Sequence, residues 1–324
     1  MSVTQRDLFL MELLTLAKKD KDIILISPDM GAPALDKWRE EVPNQFFATG
    51  ISEQNSINVA AGFSSRGKKV YVYYMACWSA RCFEQIRYSC AIAQNPITIL
   101  GVGVGLGYAP AGAAHNPTDD MAYMRSICGI EIYSPATNPA VKQLVKYTYK
   151  NRKLIYIRLE RAYDTALDVF YEKTYDATTE TQYNGFDMEN NQGVFPLKDE
   201  GCRTKICLVT SGYLLSRALK ITKTIDCNVF DVFQIKPIPV VLDNYLKHAE
   251  LVVTLEEQTL NGGGFSSVIA DTIADKNLQC KLKRFGLEEG YILGNGTRDE
   301  MLDAHGLSIE KITEFLTLYQ NQTY

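Results

Sequence analysis

The sequence has no run of five or more Lys or Arg and no long apolar segment. Its 34 Lys and Arg are outnumbered by 38 Asp and Glu, giving a formal net charge of −4 at pH 7. Proteins bind a phosphate backbone through clustered basic side chains, so this composition argues against nucleic-acid binding. No apolar stretch approaches the ~20 residues of a membrane-spanning helix. Charged residues also stand near the N-terminus, where a signal peptide needs an apolar core. We therefore expect a cytoplasmic protein.

Histidine is scarce, and the cysteines are scattered. The histidines are His115, His248 and His305, and none is spaced from a second histidine or cysteine as in zinc sites. A transition-metal site built by this chain alone is therefore not expected. The eight cysteines form no Cys-x-x-Cys pair, and several, such as Cys207, stand inside apolar runs. We predict buried free thiols.

Helical and apolar segments alternate along the chain, which at 324 residues is too long for one ordinary core. A helical pattern over 7–19 precedes a buried strand at 23–27, and the alternation continues to a strand at 154–159. Such alternation predicts a parallel sheet with helices on both faces. The predicted fold is thus α/β, with two domains that each hold a mostly parallel sheet flanked by helices.

The second half of the chain repeats this pattern after a polar interval. Residues 164–200 are rich in Thr, Asp, Asn, Glu and Tyr and show no sustained apolar period. A second alternating unit begins at 205–210 and ends with a helix near 308–318. We therefore predict a first domain over 1–163, a linker or surface excursion over 164–200, and a second domain over 201–324.

Glu53 is an acidic residue at the start of an apolar helical pattern. It follows Gly50-Ile51-Ser52 and opens an apolar helical pattern that continues to Gly62. On physical grounds alone it is an acid at a helix start, stabilised by the amide dipoles there. That interpretation requires no catalytic role.

Several stretches, taken together, resemble the transketolase family of thiamine diphosphate enzymes. Gly50-Ile51-Ser52-Glu53-Gln54 is similar to the Gly-x-x-Glu-Gln stretch whose glutamate contacts N1′ of the cofactor's aminopyrimidine. The other similar stretches follow in the family's order: residues 74–87, 101–115, 254–258 and 262–264. They span most of the chain. The resemblance implies a pyrimidine-binding domain followed by a transketolase C-terminal-like domain.

The resemblance also implies roles for individual residues. Glu53 is expected to hydrogen-bond N1′ and favour the imino form of the pyrimidine. His115, at the end of the Gly-rich loop, is expected to face the substrate and handle protons. The expected cofactor contacts also include Trp78 at the place of a stacking Phe, Arg81 and Asp29. The structural alternatives are a core aromatic for Trp78, a surface ion pair for Arg81 and a turn residue for Asp29.

The departures from the family pattern concern the substrate. The sugar-phosphate ligands of many transketolases, two arginines, a serine and a histidine, align with Arg6, Arg161, Pro33 and Gly103. Arg6 and Arg161 either bind an anion by charge-assisted hydrogen bonds or are structural. The family's acid four positions before the histidine is here Ala111. We therefore expect an unusual acceptor, in specialised sugar biosynthesis.

The sequence contains no Gly-Asp-Gly, the family motif that binds Mg²⁺ and the diphosphate. The resemblance therefore implies a separate diphosphate-binding subunit that supplies the Mg²⁺ ligands, in an assembly with two copies of each chain. Glu256-Glu257, before the glycines at 262–264, resembles the family's C-terminal-domain signature. We expect that signature to be structural.

The expected reaction is transfer of a two-carbon ketol unit from a ketose to an aldehyde. One alternative is the beta subunit of a 2-oxoacid dehydrogenase, and another is an enzyme like deoxyxylulose-phosphate synthase. A non-catalytic binding protein on the same fold is a third.

Overall fold

The structure is a computed structural model that describes residues 3–161, 193–198, 203–294 and 296–323. The described residues divide into two compact units. The first unit comprises 3–104 and 123–161, and the second comprises 105–122 and the described residues from 193 onward. Within the described ranges, no helix has both the length and the apolar character needed to cross a membrane.

The first unit is built on a parallel sheet. Its strands run in the order β5-β6-β4-β3-β1-β2, and every neighbouring pair is parallel. Central strands β1, β4 and β6 are buried along their whole length, which explains their continuous apolar sequences. The strands are β1 Ile23–Ser27, β2 Phe46–Ala48, β3 Lys69–Met75, β4 Thr98–Val102, β5 Glu131–Tyr133 and β6 Ile155–Leu159.

Helices connect these strands. Thr4 and Thr137 cap two of them through side-chain oxygens that accept backbone N–H bonds. The helices that lie wholly in this unit are Gln5–Ala17, Pro33–Glu41, Glu53–Ser65, Phe83–Gln85 and Asn138–Lys150. The apolar pattern predicts one regular helix over 80–93, and this is wrong. The chain instead forms a 3-10 turn at Ala76–Ala80 and a π-helix at Ile86–Ile92 on either side of Phe83–Gln85.

The second unit contains a mostly parallel sheet in the order β12-β11-β8-β9-β7. Strands β12, β11, β8 and β9 pair in parallel, whereas β7 pairs antiparallel with β9 at the edge. Both sheets confirm the predicted fold class. The strands of this unit are β7 Val194–Lys198, β8 Ile206–Thr210, β9 Asn228–Val232, β10 Gln234–Lys236, β11 Leu251–Thr259 and β12 Lys281–Leu287.

Strand β7 corrects part of the sequence interpretation. Residues 164–200 were expected to form a linker or excursion, but Val194–Lys198 is a strand of the second sheet. Pro196 interrupts its pattern in the sequence, and a proline is tolerated there because the strand lies at an edge. The rest of 164–200, except Gly193, lies outside the described residues. The predicted boundaries at 163 and 201 remain predictions.

The helices of the second unit cover its sheet and end the chain. They are Leu215–Ile221, Leu242–Leu246, Phe265–Asp275, Arg298–Leu302 and Ile309–Thr323. The sequence pattern predicts a helix over 213–225, but the helix is shorter, since Gly212–Leu214 forms a 3-10 turn before it. A further helix, Asp120–Arg125, begins in the second unit and ends in the first.

The cysteines are free thiols where described, as predicted, but their burial varies. Cys82, Cys90, Cys207 and Cys227 are buried, whereas Cys128 is exposed. Cys77 and Cys280 are half-buried, and Cys202 lies outside the described residues. The prediction of burial is therefore wrong for Cys128, which lies in the turn before β5.

Candidate functional site

Glu53 is the first residue of a 13-residue helix that follows β2 and a sharp turn. Gly50 makes this turn possible, because its φ of 70° is strained for any residue with a Cβ. The turn is fixed by the Ser52 hydroxyl, which donates to the Thr49 carbonyl at 2.7 Å. The helix start thus places the Glu53 carboxyl at a defined position.

The Glu53 carboxyl is almost completely buried yet incompletely used. Its side chain is 2% exposed, and Arg81 Nη1 lies 3.3 Å from Oε2. Oε2 nevertheless makes no hydrogen bond. A buried carboxylate oxygen that accepts no hydrogen bond can accept one from a bound ligand, so Oε2 is a candidate contact.

The turn that follows β3 carries Trp78 and leads to Arg81, which approaches Glu53. Arg81 faces Glu53 but is 58% exposed, and Trp78 is half-buried. Cys82 is fully buried, and burial, together with the Glu53 charge, raises its pKa to about 12. Cys82 is thus an inert neighbour of Glu53. The sequence interpretation missed Cys82, although it directly follows Arg81 in the stretch 74–87.

A tyrosine anchors this turn. The hydroxyls of Ser79 and Tyr123 lie 2.7 Å apart and share a hydrogen bond. The Tyr123 ring also meets Phe83 edge-on, with the centroids 6.4 Å apart. Ser79 stands between Trp78 and Arg81 and Phe83 stands two residues after Arg81, so these contacts limit how far the turn can move.

His115 lies in the second unit, in the 3-10 turn Ala113–His115. The imidazole is half-buried, its ring centroid is 6.4 Å from that of Tyr108, and Nδ1 is buried without a hydrogen bond. Asn116, the next residue, is 7% exposed, and neither atom of its amide has a partner. The sequence interpretation missed Asn116, and its position beside His115 is the signal that could have identified it.

The remaining predicted residues are placed less decisively. The Arg6 guanidinium donates to both carboxylate oxygens of Asp7, from Nε at 3.1 Å and from Nη2 at 2.9 Å. An anion bound by Arg6 would therefore compete with this carboxylate. Arg161 and Asp29 are exposed, the latter in a bend after β1. Their binding roles remain predictions.

Comparison with known proteins identifies the family. Residues 1–163 match the model of the transketolase pyrimidine-binding domain, and residues 197–312 match that of the transketolase C-terminal domain. The chain belongs to the transketolase family. Both domain types agree with the sequence interpretation, in which a pyrimidine-binding domain precedes a transketolase C-terminal-like domain.

Two relatives of similar length are named as a subunit or a section of a transketolase. One of the subunits of an apulose-4-phosphate transketolase from Phocaeicola vulgatus is 29% identical over 308 residues, which cover 93% of this chain and 92% of the relative. A putative transketolase C-terminal section of Methanocaldococcus jannaschii is 27% identical over 310 residues, with the same coverage of both chains. These matches extend over nearly the whole of this chain and of each relative.

Two further matches extend the comparison. A 1-deoxy-D-xylulose-5-phosphate synthase of Histophilus somni is 27% identical over 301 residues, but this chain spans only 46% of its length. Among solved structures, a split-gene transketolase described as an inactive beta4 tetramer superposes with a TM-score of 0.80. Its identity is 23% and 97% of each chain is covered, which supports the fold.

The residues around Glu53 fit the family's cofactor, thiamine diphosphate. The family resemblance implies a glutamate partner for N1′ of its aminopyrimidine, and Glu53 Oε2 is buried and accepts no hydrogen bond. Trp78 offers an aromatic face on the neighbouring turn. The described residues bring together no group of three or more His, Cys, Asp or Glu that could hold a metal ion.

Proposed function

We propose that this chain provides the pyrimidine-binding half of the active site in a split, thiamine diphosphate-dependent transketolase. The proposed reaction transfers a two-carbon ketol unit from a ketose donor to an aldehyde sugar. The observation that carries the proposal is the buried, unbonded Oε2 of Glu53 at the start of its helix. It occurs within the stretch that carries the family's catalytic glutamate.

Each candidate site residue has a distinct role in this proposal. When bound, thiamine diphosphate supplies the carbon nucleophile that exchanges carbon–carbon bonds. Glu53 holds the proton shared with N1′, and the Arg81 guanidinium lies beside that carboxyl. Trp78 packs against the pyrimidine, and Asp29 contacts the cofactor nearby. His115 exchanges a proton with the substrate through an imidazole that leaves Nδ1 without a partner.

The proposal includes a second type of subunit. This sequence lacks Gly-Asp-Gly, so the groups that hold Mg²⁺ and the diphosphate come from a separate chain. The similar structure with beta chains alone is described as inactive, which supports dependence on a partner. We propose a heterotetramer with two copies of each subunit and Mg²⁺ ligands from the partner.

The proposed acceptor is a sugar other than those of housekeeping transketolases. Pro33 and Gly103 stand where a serine and a histidine commonly hold the sugar phosphate, and Ala111 stands in place of an acid. The Phocaeicola relative is named for apulose 4-phosphate, which supports an unusual substrate. Arg6 and Arg161 are the proposed ligands for any anionic group of that substrate.

A second candidate is a reaction like that of 1-deoxy-D-xylulose-5-phosphate synthase. Its supporting observation is the 27% identity to the Histophilus enzyme over 301 residues. The 2-oxoacid dehydrogenase beta subunit shares the expected glutamate and divided architecture. A non-catalytic binding protein remains the alternative of another class.

Donor choice separates these candidates. The chain and its diphosphate-binding partner are assayed with thiamine diphosphate and Mg²⁺, using hydroxypyruvate or pyruvate as donor and a panel of aldoses as acceptors. Turnover of hydroxypyruvate with an aldose supports ketol transfer and ranks the acceptors. Turnover of pyruvate but not of hydroxypyruvate supports the synthase or the dehydrogenase class. Failure to bind thiamine diphosphate with the partner present revives the non-catalytic alternative, and ribose 5-phosphate as a leading acceptor contradicts the unusual-substrate proposal.

A further inference from the structure

The loop that carries His115 packs within the second unit. Residues 105–122 lie inside the stretch that matches the pyrimidine-binding domain, yet they group with residues from 193 onward. His115 itself is held only locally: its backbone N–H donates to the Gly112 carbonyl at 3.0 Å. The position of His115 therefore depends on what holds the two ends of the loop.

The C-terminal end of the loop is held by Gln258 of β11. This side chain is 2% exposed, and its amide Nε2 donates to the Pro117 carbonyl at 3.2 Å and to Asp120 Oδ1 at 3.0 Å. Its Oε1 accepts the Met121 N–H at 3.3 Å. The buried Gln258 amide thus bonds both a donor and acceptors of residues 117–121, which begin two residues after His115.

Backbone pairing extends the same contact. The Thr259 N–H donates to the Thr118 carbonyl at 3.0 Å, so the end of β11 also bonds the loop directly. Asp120 is completely buried beside it. Because buried polar groups left without partners are costly, this end of the loop has little freedom to shift.

The N-terminal end of the loop rests on Glu257. A Cβ at Gly105 would lie 2.2 Å from Glu257 Oε2, so the carboxylate occupies the space beside the glycine. Gly105 also has a φ of 56°, which disfavours other residues. Arg298 fixes the carboxylate, since its Nε donates to Glu257 Oε1 at 2.7 Å and its Nη2 to Oε2.

We propose that Glu257 and Gln258 are positioning residues for His115. We call this pair the β11 clamp. It holds the loop at Gly105 and again at 117–121, with His115 between the two contacts. The Glu256-Glu257 signature, which shares Glu257 with the clamp, is expected from sequence to be structural, whereas the clamp ties β11 to the loop that carries the proton-handling group. The catalytic part of this inference rests on the proposed function, and the contacts themselves do not.

The first test measures the clamp without catalysis. In Gln258→Met the side chain keeps its approximate size and loses its hydrogen bonds, so hydrogen exchange of amides in 105–122 is expected to accelerate about tenfold. Ser266→Ala is the matched control, because Ser266 donates to Glu256 on the same strand. Its 105–122 amides are expected to exchange as in the unaltered chain. Unchanged exchange in Gln258→Met overturns the clamp, whether or not the chain proves to be a transketolase.

The second test asks whether the clamp acts through His115. With the partner, thiamine diphosphate and Mg²⁺, Gln258→Met is expected to lower kcat about tenfold and to leave half-saturation by thiamine diphosphate unchanged. In a His115→Ala background the same change is expected to cause no further loss. An equal loss in both backgrounds, or a weaker cofactor affinity, overturns the positioning role. If Gln258→Met fails to fold, Arg298→Met, which releases Glu257, is judged by the same exchange and kinetic criteria.

Discussion

Buried acids have different neighbours in the two units of this protein. In the first unit, Glu131 accepts hydrogen bonds from the Tyr147 hydroxyl at 2.8 Å and from the Lys153 ammonium at 2.6 Å. In the second, Asp231 is fully buried and neither of its carboxyl oxygens has a partner. Burial therefore raises the pKa of Asp231 well above its ordinary value.

Glu53 in the first unit and Glu256 in the second can be compared at one carboxyl oxygen, Oε2. Each is buried and leaves Oε2 without a hydrogen bond, but Glu53 has a cation at 3.3 Å whereas Glu256 accepts from the Ser266 hydroxyl. Burial raises the pKa of Glu256 to about 7. The difference indicates that an unused carboxyl oxygen marks a ligand site only where charge and position also favour one. For Glu256 its main consequence is a dependence of stability on pH.

The largest loss of activity is expected for a change at Glu53. Glu53→Gln keeps the size of the side chain but cannot hold the shared proton, so ketol transfer is expected to fall by about 10²–10⁴-fold. Thermal unfolding is expected to change little. Glu84→Gln, at an exposed acid in the short helix Phe83–Gln85, is the control and should retain activity. Full activity in Glu53→Gln would remove the functional contrast between Glu53 and Glu256.

Glu256→Gln is expected to alter the pH dependence of stability. Because the folded pKa is raised from 4.5 to about 7, the folded state holds the more protons between these values. Its stability therefore falls as pH rises through this window, and a neutral glutamine removes that part of the slope. The free energy of unfolding of the variant, relative to the unaltered chain, is expected to rise by about 3 kcal/mol from pH 4 to 7.5.

Urea unfolding at several pH values measures this difference. Glu289→Gln changes an exposed acid in the same unit and is expected to leave the slope unaltered. Parallel curves for Glu256→Gln and the unaltered chain would show that Glu256 ionises alike in the folded and unfolded states.

A smaller effect is expected at Trp78. Aromatic pairing contributes about 0.5–1.5 kcal/mol beyond area burial, so Trp78→Ala is expected to raise the half-saturating concentration of thiamine diphosphate roughly 3–10-fold. Trp78→Phe keeps an aromatic face and should bind nearly as well. Titration of the reconstituted enzyme measures both. Equal weakening in the two variants would indicate that indole size, rather than stacking, matters.

The smallest effect is expected at Arg81. Because Arg81 is 58% exposed, solvent and salt screen its attraction to Glu53. Exposed ion pairs contribute about 0–1 kcal/mol, so Arg81→Gln should weaken cofactor binding by no more than roughly fivefold, and less at high salt. Arg87→Gln, at another exposed arginine nearby, is the control. A salt-independent loss of a hundredfold would mean that Arg81 contacts the cofactor directly.

Much of the fold was predictable because its central strands are buried on both faces. The apolar run at 23–27 agrees with β1, and the predicted helix at 265–274 agrees with Phe265–Asp275. The misses lie where tertiary contacts override local pattern. β12 at Lys281–Leu287 was not predicted, since lysines and an arginine alternate with its apolar residues.

Residue order and spacing alone identify the family, the α/β class and Glu53 and His115 as candidates. These follow from residue order and spacing, which are properties of the linear chain. Only the tertiary structure decided that Glu53 Oε2 is buried and unbonded, that Asn116 lacks partners, and that Gln258 bonds the His115 loop. Gln258 stands 143 positions after His115. A contact across that separation depends on how strands and loops pack, which local propensity does not encode.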